Sequence, residues 1–295
     1  MSELFYHYTS LNVLYNIVSN NELWLSNLKN SNDPNEFYLS SEEYNNYVKE
    51  NTATNPYLVF PIIKASQTIV GNPYGISLTT LEDDLGHWAR YGDQSRGVAI
   101  AFDIATINEF LEEHYDFAFD FDSIKYTEEE KINFIKELID KMTDFEGIAE
   151  EYLSYPATYY TIHYSLARAL FKKESFKIEK EYRLYVDLVE REFHKDLIKI
   201  FLQMNPDELE KFCQESAKQK QDLRLTDDNK KYALMRNGIN SYLSLDLSLL
   251  GNKKENLIKK IILGPKSTQN VEELNAFLKK NGFETTIHKS QIEIC

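Results

Sequence analysis

The stretch "YGISLTTLEDDLGHWARYGDQSRGVAIAFD", Tyr74 to Asp103, decides the fold. Its two apolar runs, Tyr74–Thr80 and Gly97–Asp103, read as strands. Between them lie an acid-rich link, one helical turn bearing Trp88 and Tyr91, and a polar turn, "DQSRG" (Asp93–Gly97), with Arg96 exposed. A Trp and a Tyr three positions apart on a helix are surface neighbours. They pack into a core, or they wall a cleft between the strands. A tyrosine in a cleft stacks on a planar ring while keeping its hydroxyl wet.

Working outward, the chain alternates short strands and helices. "LFYHYT" (Leu4–Thr9) is strand-like, Ser10 caps a helix over "LNVLYNIVSN", and "ELWLSN" (Glu22–Asn27) is a second strand. "LKNSNDPNEF" is an Asn- and Asp-rich loop with a turn signal at Asp33-Pro34, and "EFYLSSEEYNNYVKEN" reads as a polar helix. After Asp103, residues 104–114 look helical, 117–126 extended, and 127–172 mainly helical with a break near Tyr155-Pro156. "EYRLYVDL" is a strand, and 195–219 an amphipathic helix. One or two strands fall in 231–247, with Asn237-Gly238 a hairpin signal. "LIKKIILGP" is a buried strand, 270–281 a helix closed by Asn281-Gly282, and "ETTIHKS" a last strand. This is an α+β pattern rather than a regular βαβ alternation. No Pro/Gly/Ser linker divides the chain, so the expectation is one domain over 1–295 with a helical insertion at about 104–172.

The bulk composition excludes several classes. The 295 residues carry a formal net charge of −14, which disfavours tight binding to duplex nucleic acid. No apolar run reaches the roughly 18 residues of a membrane span, and the N-terminal residues lack a secretory pattern. Cys213 and Cys295 form neither a disulfide framework nor a CxxC pair, so a reducing cytoplasm is the expected compartment. Ten glycines are few, and neither GxGxxG nor GxxxxGK[ST] occurs. Six scattered histidines give no zinc spacing, and no G-x-S-x-G elbow is present. No metal site is expected.

Two further stretches carry chemistry. In "YHYTS", strand alternation puts Tyr6 and Tyr8 on one face and His7 and Thr9 on the other. His7 is then either a satisfied core residue or a cleft residue. In "KIEKEYRLYV", an extended chain puts Glu179, Glu181 and Arg183 on one face, about 6.5–7 Å apart. Carboxylates so close raise each other's pKa unless a cation answers them, and Arg183 is the obvious one. Such a set is either a surface ion-pair ladder or a positioned carboxylate in a cleft.

Together these elements resemble DUF2971, an uncharacterised bacterial family. Its elements correspond to Tyr6–Ser10, Leu23–Phe37, Trp88–Asp103, Glu179–Arg183 and Ile258–Pro265, in order along most of the chain. The layout is also similar to the ADP-ribosyltransferase fold, a split mixed/antiparallel β-sheet core, where a His, a Tyr and a late Glu surround NAD. That resemblance implies an NAD-dependent mono-ADP-ribosyltransferase-like enzyme with NAD as substrate. His7 would bond the nicotinamide-side ribose and Tyr91 would stack on the nicotinamide. Glu181 would be the catalytic carboxylate, and Glu179, from the Glu-x-Glu spacing, would orient the acceptor. Tyr8, Thr9, Ser26, Asn32, Asp33, Ser77, Trp88 and Arg183 complete the implied NAD-binding set, with "SLTT" (Ser77–Thr80) echoing a Ser-Thr-Ser strand. A bacterial toxin or anti-phage defence role is implied, with a protein or nucleotide acceptor and an antitoxin or defence-system partner. The alternatives are an NAD glycohydrolase and a catalytically silent nucleotide- or peptide-binding module.

Overall fold

The computed structural model describes residues 4–30, 73–115, 119–143, 168–187, 230–235 and 238–293. The expected polar helix after Phe37, the amphipathic helix over 195–219, and Asn32 and Asp33 lie outside them. The first segment is β1 (Leu4–Thr9), α1 (Leu11–Asn20) and β2 (Glu22–Asn27). Then come β3 (Pro73–Thr79), α2 (Leu85–Arg90), β4 (Val98–Asp103), α3 (Ile104–His114), β5 (Asp120–Ser123) and α4 (Glu128–Thr143). The chain continues with β6 (Glu181–Asp187), β7 (Lys231–Met235), β8 (Gly238–Asp246), β9 (Ile258–Leu263), α5 (Val271–Lys280) and β10 (Thr286–Lys289).

Local chemistry explains most boundaries. Ser10 accepts the Val13 N–H at 3.2 Å and starts α1, and Asn21, at φ 53°, ends it in the left-handed region that Asn tolerates. Asp84 caps α2, Asp103 caps α3 and Asn270 caps α5. Gly282, at φ 82°, closes α5 as "NG" predicts.

The mixed α/β fold is an open, mostly antiparallel sheet in the order β10-β9-β4-β1-β3-β2-β8-β7, in which β9 and β10 pair parallel. Strand β4 is buried at every position, and its unbroken apolar run reflects cover on both faces. One face packs on α1, α3 and α5 through Leu14, Ile17, Val18, Ile107, Phe110, Leu274 and Leu278. On the other, Tyr6, Tyr8, Ala99, Ala101 and Ile262 surround Trp88.

Strand β3 positions the site. One edge pairs along its whole length with β6, from Pro73↔Asp187 to Thr79↔Glu181. The other edge is divided. Its end pairs with β1 at Tyr6↔Thr79, and its start pairs with β2 at Ser26↔Gly75 and Asn27↔Tyr74. Strands β1 and β2 thus part along β3 and leave Ile76–Leu78 without a ladder partner there among the described residues.

The extended reading of 117–126 takes shape as β5, which joins the sheet by pairing with β6. One expectation is corrected. Glu179 is not on the strand with Glu181. It ends a 3₁₀ turn (Glu174–Glu179), and Lys180, at φ 43°, redirects the chain into β6.

The "DQSRG" segment is a tight reversal, with Asp93, Gln94 and Ser95 at φ 51°, 54° and 72°. Three consecutive non-glycine residues in that region are strained, and the surroundings hold them. Ser95 N–H bonds Trp88 O at 3.0 Å, Lys266 N–H bonds Ser95 O at 2.8 Å, and Gly97 N–H bonds Gly92 O at 2.9 Å. Gly97 is obligatory, because a Cβ there would lie 2.0 Å from Thr9 O.

Candidate functional site

The split in the sheet opens into a cavity of about 850 Å³. Its walls include His7, Tyr8 and Thr9 from β1, Ser26 from β2, Ser77 from β3, His87 and Arg90 from α2, and Tyr91 just after it. Lys172 and Glu179 come from the segment before β6, and Glu181 and Arg183 from β6 itself.

His7 reaches across the unpaired edge of β3. Its Nδ1 lies 2.9 Å from Ser77 O, so a side chain takes the place that a neighbouring strand would fill. Because Ser77 O can only accept, Nδ1 carries the proton and Nε2 keeps its lone pair. Burial pushes the His7 pKa down, partly offset by this bond. On the same residue, the Ser77 hydroxyl donates to Glu181 Oε1 at 2.6 Å. One residue of β3 therefore ties the early histidine to the late glutamate.

Glu181 is buried and fully partnered. Besides Ser77, Oε1 accepts Arg183 Nε at 2.7 Å, and Oε2 accepts Lys172 Nζ at 2.9 Å. Its backbone N–H bonds Tyr126 Oη at 2.8 Å. Burial alone would raise its pKa. The charges of Arg183 and Lys172, with the Arg183 and Ser77 bonds, prevail and hold it down at about 2. Arg183 is only 1 % exposed and also donates to Ala169 O at 2.6 Å.

Glu179 sits beside it and shares the same cation. Its Oε2 accepts Lys172 Nζ at 2.8 Å, and its Oε1 accepts the Tyr91 hydroxyl, with Arg90 Nη1 at 3.6 Å. Burial, then the bond to Glu179, pushes the Tyr91 phenol pKa up, so Tyr91 is a proton donor here. The carbonyl of Glu179 accepts the Thr79 hydroxyl at 2.9 Å, which fastens the 3₁₀ turn to β3.

Of the residues singled out in the sequence, His7, Tyr8, Thr9, Ser26, Ser77, Tyr91, Glu179, Glu181 and Arg183 all line this one cavity. Trp88 does not, and its expected place on the wall is corrected. It is fully buried, edge-on to Tyr8 at 4.8 Å, and its indole N–H donates to Asp83 Oδ1 at 2.6 Å. A six-residue helix turns one face to the sheet, and the larger, more apolar ring takes it. Tyr8 is also anchored, since its hydroxyl donates to Leu81 O and accepts the Asp84 N–H, both at 2.9 Å.

Lys172, Arg90 and Tyr126 escaped the sequence reading. Lys172 stands in "LFKKESF", seven residues before Glu179, where no motif marks it. The one available signal was the pair of acids itself, which requires more than one cation when buried.

Residues 87–184 match the family model described as "Protein of unknown function (DUF2971)". The match supports the DUF2971 resemblance over a third of the chain, and it spans Tyr91, Lys172, Glu179, Glu181 and Arg183. No curated protein and no solved structure matches the chain. No helix among the described residues is long and apolar enough to cross a membrane. Among the same residues, no group of three or more His, Cys, Asp or Glu side chains could hold a metal ion.

Proposed function

We propose that this DUF2971-like chain is an NAD-consuming, mono-ADP-ribosyltransferase-like enzyme with its site in the split of the sheet. Ser77 carries the proposal. It bonds His7 through its carbonyl and Glu181 through its hydroxyl, so the histidine, the serine and the acid of the implied set converge on one point.

The chemistry suits these groups. Nicotinamide leaves with the electron pair of the C1′–N bond, and positive charge develops on the ribose. A carboxylate held ionised by Arg183 and Lys172 is preorganised to stabilise that charge without solvent reorganisation. Neutral His7 offers Nε2 to a ribose hydroxyl, and the Tyr91 ring offers a face for nicotinamide. Water as acceptor gives the glycohydrolase variant of the same reaction. A toxin or defence role rests on the family resemblance.

A second reading has its own observation. Both oxygens of Glu181 already accept hydrogen bonds from Ser77, Arg183 and Lys172, an arrangement that also suits a structural ion cluster in a silent nucleotide-binding module. Two measurements separate the readings. NAD at 100-fold over its dissociation constant adds about 2.7 kcal/mol of stability in a thermal-shift experiment. Under the enzyme reading, Glu181→Gln lowers nicotinamide release by at least about 100-fold while NAD still binds. NAD binding without any release by the unmodified chain selects the silent module.

A further inference from the structure

We infer that His87 is a proton acceptor of this cavity, removing the proton of the nucleophile that attacks the ribose; the inference rests on the NAD-consuming reading above. In the reaction the bond from C1′ to the nicotinamide nitrogen breaks and its electron pair leaves with nicotinamide. A bond from C1′ to the nucleophile's oxygen or nitrogen forms, and the proton of that hydroxyl, amine or water passes to His87 Nε2.

The cavity needs such a group, because its carboxylates are committed. Each oxygen of Glu179 and of Glu181 already accepts a hydrogen bond from Tyr91, Ser77, Arg183 or Lys172. A carboxylate held at about pKa 2 is a poor base near neutral pH. His7 is placed for the ribose and spends Nδ1 on Ser77.

His87 differs from both. It is 5 % exposed and lines the cavity. Its Nδ1 lies 2.9 Å from Asp84 Oδ1, and the same oxygen accepts the His87 backbone N–H at 2.9 Å. An ionised Asp84 fixes the proton on Nδ1 and leaves Nε2 as the lone-pair atom. Burial would raise Asp84, but its bonds to the His87 ring and backbone outweigh that and keep it ionised. No protein group bonds Nε2 among the described residues. The ring is set by Tyr8 at 5.0 Å and Tyr91 at 5.7 Å between centroids. Tyr91 in turn bonds Glu179, so His87 stands on the same wall as the acid pair. A buried histidine on a cavity wall, held through Nδ1 by a partly exposed acid, is the arrangement of a positioned base.

The test compares the unmodified chain with His87→Gln and His87→Asn. Either amide can donate to Asp84, and neither has a basic nitrogen. Nicotinamide release from NAD is followed in water and with added azide, an anionic nucleophile that has no proton to give up. The variants should lose about 100- to 10,000-fold in water, and azide should restore release to within about tenfold of the unmodified chain, with ADP-ribosyl azide as product. The NAD-induced thermal shift should stay unchanged. Release in water within about threefold of the unmodified chain, or loss that azide does not repair in either variant, overturns the role of His87 and leaves the NAD reading standing. An unmodified chain that neither binds NAD nor releases nicotinamide overturns both.

Discussion

Replacing Lys172 by Met tests the electrostatics of the site most directly. The Lys172 ammonium bonds both acids, at 2.8 Å from Glu179 and 2.9 Å from Glu181, and all three side chains are buried. Methionine keeps the volume and removes the charge. At pH 7 the two carboxylates then face each other with Arg183 still on Glu181 and the half-exposed Arg90 at 3.6 Å from Glu179. Removing one partner from a buried charge cluster costs about 3–5 kcal/mol. For a chain of this size that is on the order of 10 °C in Tm. The loss should shrink at pH 4.5, where one proton can settle on the acid pair and relieve the repulsion. It should also shrink in Lys172→Met/Glu179→Gln, because the second substitution removes the acid that has lost its cation. Urea unfolding at both pH values, followed by tryptophan fluorescence, measures this. A destabilisation below about 1 kcal/mol at pH 7, or one equal at the two pH values, refutes the reasoning.

Three further outcomes are expected. Glu181 has its pKa depressed in the folded state, so its contribution is present above the ordinary carboxylate range and is lost as pH falls from about 4.5 to about 2. In acid unfolding, the stability gap between the unmodified chain and Glu181→Gln should therefore close over that interval, and a constant gap contradicts it. Gly97→Ala places a methyl against Thr9 O and should cost about 3 kcal/mol or more, with chemical denaturation as the check; the neighbouring Arg96→Ala should cost under about 0.5 kcal/mol. Ser77→Ala removes a hydroxyl bond to a charged oxygen, about 1.5–3 kcal/mol, and on the NAD reading should lower nicotinamide release about tenfold or more with little change in NAD affinity.

Much of the local structure was legible in the sequence. Ser10 capping α1, the strand–helix–turn–strand order of Tyr74–Asp103 and the Asn281-Gly282 stop all follow from backbone preferences within a few residues. His7, Ser77, Tyr91, Glu179 and Glu181 were legible as polar or aromatic groups set against strands. Trp88 takes the core-packing alternative rather than the place in the NAD-binding set that the resemblance implies, and nothing local says which side of a six-residue helix meets the sheet.

By itself the sequence determined the strands, the caps, the −14 charge and the presence of two acids and an arginine within five residues. Only the tertiary structure decided that β1 and β2 part along β3, because ladder pairing between residues far apart in the chain, such as Tyr6 with Thr79 and Ser26 with Gly75, is set by global packing. That parting brings His7, Ser77 and Glu181 together. It also decided that Lys172 lies between Glu179 and Glu181, since a buried pair of like charges takes whichever cation the fold carries to it, and spacing along the chain does not reveal which one that is.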